Sequence, residues 1–201
     1  MKINRLQRRQ LLGYFGLGIV GAGATALLLQ RNTRSSLPEQ TTSLADVPAP
    51  SNPSSLPEPM HLPEFQGISQ WLNSEPLTIA DLRGNVVLIQ FWTFACINCI
   101  RTLPYVVGWH QQYAEQGLRV IGVHSPEFAF EREVSNIQSA LTEHQITYPV
   151  PLDNEFKTWK AYKNRFWPHL FLADRDGILR YDHIGEGAYE ETEQTIRRLL
   201  G

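Results

Sequence analysis

Hydrophobic positions change their spacing several times along the chain. Leu11 to Leu29 form nineteen consecutive positions without a charge, which as a helix rising about 1.5 Å per residue would span about 28 Å, close to a bilayer's hydrocarbon thickness. From Asn32 to about Met60 the apolar positions thin out among Pro, Ser, Thr and Glu, with prolines at 38, 48, 50, 53, 57 and 59. Such a stretch cannot bury enough apolar surface to fold and reads as a disordered, semi-extended tether. Beyond it the pattern alternates. Val86–Trp92 is a continuous β-branched and aromatic run after the turn Arg83-Gly84-Asn85, as expected of a strand buried on both faces. Ile97 to about Gln116 has helical spacing at Ile100, Leu103, Val107 and Trp109 and stops before Gly117. Leu118–His124 predicts a second strand, and Glu131–His144 a polar amphipathic helix. Two further strands, 169–173 and 178–183, flank Asp174-Arg175-Asp176-Gly177, whose Asp-Gly pair signals a hairpin. A last helix is expected from about Ala188 to Leu200. The order βαβα then ββα implies an α/β fold, with a mixed central sheet covered by helices on both faces.

Charge divides the chain in the same places. Residues 1–60 carry 6 Lys and Arg against 3 Asp and Glu, whereas residues 61–201 carry 12 against 17. An acidic folded part argues against nucleic acid as a partner. Lys2, Arg5, Arg8 and Arg9 precede the charge-free run and only Arg31 and Arg34 follow it closely, a bias that keeps the N-terminus in the cytoplasm and sends the rest across the membrane. The expected organisation is a signal-anchor segment over 1–31 with a transmembrane span at 11–29, a linker over 32–60 and a folded domain over 61–201. Arg8-Arg9-Gln10-Leu11-Leu12 also resembles a twin-arginine export signal. Cleaved export is therefore an alternative, although the leucines after Ala26 make a poor mature start.

The chain has 201 residues and 42% hydrophobic composition, enough for one domain with a real core, and only two cysteines. Two cysteines cannot staple a disulfide scaffold or supply an all-cysteine zinc site, and no histidine or acid stands at a metal-ligand spacing from them. Cys96-Ile97-Asn98-Cys99 lies where the first strand passes into the first long helix. There the helix dipole and unpaired N–H groups stabilise a thiolate, so Cys96 is the expected attacking thiol and Cys99, one turn on, the resolving one. A structural disulfide closing so short a loop would add little stability. The remaining histidines read as surface or core groups rather than ligands.

Phe91-Trp92-Thr93-Phe94-Ala95-Cys96-Ile97-Asn98-Cys99, with Pro104 five residues beyond, resembles the active-site strand and helix of the thioredoxin superfamily. The Cys-Ile-Asn-Cys motif, the Gly-Val-His segment at 122–124, Trp167-Pro168 and Gly185-Glu186-Gly187 are similar to segments of membrane-tethered TlpA-type proteins, and among them to the thioredoxin-like domain of DipZ-type reductases. The resemblance covers roughly residues 61–201. It implies a thioredoxin-like fold and a redox-active Cys96–Cys99 disulfide with no bound cofactor and no metal. It further implies a cis Pro168, with Trp167 beside it offering its backbone to a substrate chain, and Trp92 and Phe94 around the site as apolar contact surface, Trp92 being equally readable as core. The implied partners are protein thiols and disulfides outside the cytoplasm, and a membrane electron donor or acceptor. One position departs from the pattern: where thioredoxins keep a buried acid before the Phe-Trp pair this chain has Gln90, which cannot titrate. Two other functions fit parts of the sequence. Thr93-x-x-Cys96 matches part of a peroxiredoxin signature, although Ile89 stands where its proline belongs, and a tethered binding module would need no redox chemistry.

Overall fold

The computed structural model describes residues 59–201. The expected segment 1–31 and all but the last two residues of the expected linker 32–60 lie outside the described residues. No helix among the described residues is long and apolar enough to cross a membrane.

Four strands form the main sheet: β2 (Val86–Trp92), β3 (Leu118–His124), β5 (His169–Ala173) and β6 (Leu179–Ile184). Their order across the sheet is β3-β2-β5-β6, with β2 parallel to β3 and the pairs β2/β5 and β5/β6 antiparallel. The parallel pair is joined by α1 (Ile97–Tyr113), the antiparallel β5/β6 pair by the predicted hairpin, in which Gly177 takes φ +73° and its N–H bonds the Asp174 carbonyl at 2.9 Å. Every residue of β2 is buried because both faces are covered. Leu88 and Trp92 face a core shared with α1, α2 (Val134–Glu143) and α4 (Tyr189–Leu200). Val87, Ile89 and Phe91 face a second core closed by Leu62, Leu82 and Tyr162.

Three elements absent from the hydrophobic pattern complete the fold: the two-residue strands β1 (Trp71–Leu72) and β4 (Val150–Pro151), paired antiparallel, and the short helix α3 (Lys157–Ala161). Elements this short carry too few residues to show a period. The expected helix at 131–144 needs a correction. It begins only at Val134, and Ala129–Arg132 is a separate 3-10 turn that turns Glu131 inward, fully buried. Smaller shifts end the α-helical part of α1 at Tyr113, followed by a 3-10 turn, and start α4 at Tyr189, after Ala188 in the left-handed region. At Gly122 a side chain is impossible without rearrangement. An added Cβ would lie 2.8 Å from Tyr148 Cε2 and 3.1 Å from Trp92 Nε1, the same indole that donates to the Gly122 carbonyl at 3.2 Å.

Candidate active site

Strand β2 ends at Trp92, and the turn Thr93–Ala95 delivers Cys96 to the N-cap of α1. Cys96 has extended backbone geometry (φ −81°, ψ 112°), and its Sγ accepts the Cys99 N–H at 3.4 Å, satisfying one of the orphan donors of the helix start. Both cysteines are free thiols, Cys96 half-exposed and Cys99 buried. The Cys96 thiol is pulled down to about 6, chiefly by the hydrogen bond from the Cys99 side chain, with N–H groups of Cys99 and Asn98 assisting and burial opposing. Cys99 is pushed far up, first by burial and then by its role as donor to Cys96. One sulfur is thus held as a thiolate at neutral pH while its neighbour keeps the proton, the division of labour that stepwise thiol exchange needs.

The Trp167–Pro168 peptide bond is cis. The Trp167 carbonyl faces Cys96 Sγ at 3.9 Å, so the segment before β5 borders the sulfur in space although it lies 71 residues away in sequence. The Trp167 indole donates to the Ser125 carbonyl at 3.0 Å. Behind this segment the Asn164 side-chain oxygen accepts from the N–H groups of Arg165 (2.8 Å) and Phe166 (3.4 Å) and meets His169 Nδ1 at 2.7 Å, while His169 Nε2 lies 3.1 Å from Asp182.

Of the aromatic residues expected around the site, Trp92 is fully buried and belongs to the core, so it offers no contact surface. Phe94 is half-buried, stacked on His124 with centroids 5.7 Å apart and touching Phe130 edge-on at 5.9 Å. Gln90 is buried, and neither its amide oxygen nor its amide nitrogen has a partner. Arg101 is mostly exposed and pairs with Glu186 at 3.3 Å, joining α1 to the Gly185-Glu186-Gly187 segment.

A buried carboxylate does stand beside the site, from an element sequence reasoning passed over. Glu131 accepts from the Thr93 hydroxyl, from Ala95 N–H at 3.1 Å, and from Glu127 and Phe128 N–H at 2.6 and 2.7 Å. Thr93 also faces His124 Nε2 at 3.4 Å, and burial holds His124 down at about 4, so its ring is neutral at pH 7. The one available signal for Glu131 was its place in Phe128-Ala129-Phe130-Glu131: an acid beside aromatic residues reads as surface until its donors are known.

Residues 60–182 match the model of the AhpC/TSA family. The chain is 48% identical over 141 residues to Protein DipZ of Mycobacterium tuberculosis, covering 69% of this chain and only 20% of DipZ. It is 30% identical over 139 residues to the thiol-disulfide oxidoreductase YkuV of Bacillus subtilis, covering 69% of this chain and 93% of YkuV. Among solved structures, a thioredoxin-like superfamily protein superposes with a TM-score of 0.65 at 32% identity, over 71% of this chain and 97% of the other. With more than half of the chain matched by the family model and YkuV matched nearly end to end, the chain belongs to the AhpC/TSA family and has its thioredoxin-like fold.

Proposed function

We propose that the protein is a membrane-tethered, extracytoplasmic thiol–disulfide oxidoreductase acting on exported proteins through Cys96 and Cys99. The observation that carries this reading is the asymmetry of the pair: a half-exposed Cys96 lowered to about 6 beside a buried Cys99 that keeps its proton. In the reducing direction the Cys96 thiolate attacks one sulfur of a substrate disulfide. The S–S bond breaks, its electron pair leaves on the second substrate sulfur, which takes a proton, and a mixed disulfide with Cys96 remains. Cys99 then loses its proton and attacks Cys96 Sγ, releasing the first substrate sulfur as a thiol and closing the Cys96–Cys99 disulfide. A dithiol donor in the membrane resets it with two electrons and two protons. The oxidising direction is the same sequence reversed. Trp167, beside the sulfur with Pro168, offers backbone for an extended substrate, and Phe94 offers apolar contact. No cofactor is required, because the electrons reside in the two sulfurs.

The tether rests on the charge-free run at 11–29 and the basic residues before it, a charge bias that favours an N-terminus in the cytoplasm and a domain outside. The test is a redox titration of the full chain against defined dithiol/disulfide buffers, scored by alkylation mass shift. A reversible two-electron couple near the thioredoxin value of about −270 mV assigns a reductase, and one near about −120 mV an oxidant. Absence of a reversible couple overturns the reading. Cys99→Ser should accumulate a mixed disulfide at Cys96 that wild type resolves, and Cys96→Ser should form none.

A further inference from the structure

Glu131 joins two pieces of chain that meet at the dithiol. Its Oε1 accepts from Thr93 and Ala95, the turn that presents Cys96, and its Oε2 accepts from the N–H groups of Glu127 and Phe128, the start of the loop that leads into α2. That loop carries two phenylalanines turned outward: Phe128 is 50% exposed and Phe130 52%, their rings stacked 5.8 Å apart. Exposed aromatic side chains side by side are costly in water unless something covers them. Phe130 continues onto Phe94, and Phe94, Phe130 and Ile100 form one end of a groove of about 470 Å³ running between α1 and α2 past Asn136, Ser139 and Ala140. The apolar end of the groove therefore rests on the chain around the attacking cysteine, with Phe94 two residues before Cys96 and Ile100 one helical turn after it. The loop's C-terminal side has other ties, from Arg132 to the Asn154 carbonyl at 2.9 Å and from Asn136 to the Phe130 carbonyl at 3.0 Å. On its N-terminal side Ser125 is tied to Trp92 and Trp167, and from Glu127 onward the side-chain hold is Glu131.

We infer that Glu131 is a positioning residue that locks this aromatic ledge to the Cys96 turn, and that the ledge and groove receive an apolar stretch of polypeptide next to the substrate's target cysteine. This rests on the thiol–disulfide reading. An aromatic ledge of Phe128, Phe130 and Phe94, whose last member lies two residues before Cys96, selects a polypeptide with aromatic or aliphatic side chains near its cysteine over a small polar disulfide, because only the former can cover the exposed rings while its sulfur reaches Cys96.

The experiment compares insulin, a polypeptide disulfide, with hydroxyethyl disulfide, which has no side chain to place on the ledge, using the full chain and a dithiol reductant. Phe130→Ser removes an exposed ring and does not threaten the core. Glu131→Gln keeps an oxygen for Thr93 and Ala95 but sets an NH₂ against the two loop N–H groups. Each variant should lower the insulin to hydroxyethyl disulfide ratio of kcat/KM about tenfold, through a higher KM for insulin. In Glu131→Gln the pH midpoint of Cys96 alkylation should stay near 6, since a hydrogen bond from Cys99 sets it. An unchanged ratio in both variants, or parallel loss of both substrates in Glu131→Gln with the ratio unchanged in Phe130→Ser, overturns the inference while leaving the dithiol chemistry intact. Failure of the wild-type chain to reduce either substrate overturns the oxidoreductase reading, and this inference with it.

Discussion

On one flank of Cys96 the carboxylate of Glu131 is closed off from solvent and meets four donors; on the other, the ring of His169 lies between Asn164 and Asp182, whose side chain is 50% exposed. Both flanks brace a short irregular segment against the active sulfur with buried polar groups, yet they differ in what the solvent can replace. Water can hydrate Asp182 if its partner is lost. Glu131 itself and the Thr93 hydroxyl are fully buried, so water cannot take over that bond without the loop opening. A buried hydrogen-bonded charge is costly to break because its partners are left orphaned, whereas a half-exposed ion pair is screened and contributes little. The two flanks are also tied to each other, through the bond from the Trp167 indole to Ser125, just ahead of the aromatic loop.

The comparison can be broken by truncation. Glu131→Ala should destabilise the protein by about 3 kcal/mol in urea unfolding, because it strands the Thr93 hydroxyl and three backbone N–H groups. An effect under about 1 kcal/mol would put Glu131 on a par with the half-exposed Asp182. Acid tests the same flank. Burial holds His124 down at about 4, so the unfolded chain binds that proton first, near its ordinary 6.5, and the folded state is favoured fully only above that pH. Stability should therefore fall by about 3 kcal/mol as pH drops from 7 to 4, and His124→Gln should remove that share of the slope.

On the opposite flank, Asn164→Ala strands the N–H groups of Arg165 and Phe166 and should cost about 2 kcal/mol, with slower Cys96 exchange because the Trp167 carbonyl is no longer fixed beside the sulfur. The smallest effect is expected at Asp182→Asn, within about 1 kcal/mol at pH 7 by urea unfolding. A larger loss would show that Asp182 holds His169 as tightly as Glu131 holds its turn.

Much of this architecture is legible in the chain itself. The uninterrupted apolar run of β2, the α1 spacing that ends at Gly117, the Asp-Gly hairpin and the Cys96/Cys99 spacing each depend on contacts within a few residues, so local pattern determined the strand–helix order and placed the cysteine pair at a helix start. Sequence also marked Gln90 as a departure, but what stands beside the dithiol instead had to come from elsewhere in the chain. Glu131 meets its turn partners across 38 and 36 residues, and Trp167 meets Cys96 across 71. A carboxylate's identity does not say whether its donors will be water or backbone. Only the packed fold, by folding the loop after β3 back over the end of β2, removed the water from Glu131, the contact surface from Trp92 and the proton from Cys96 while leaving it on Cys99.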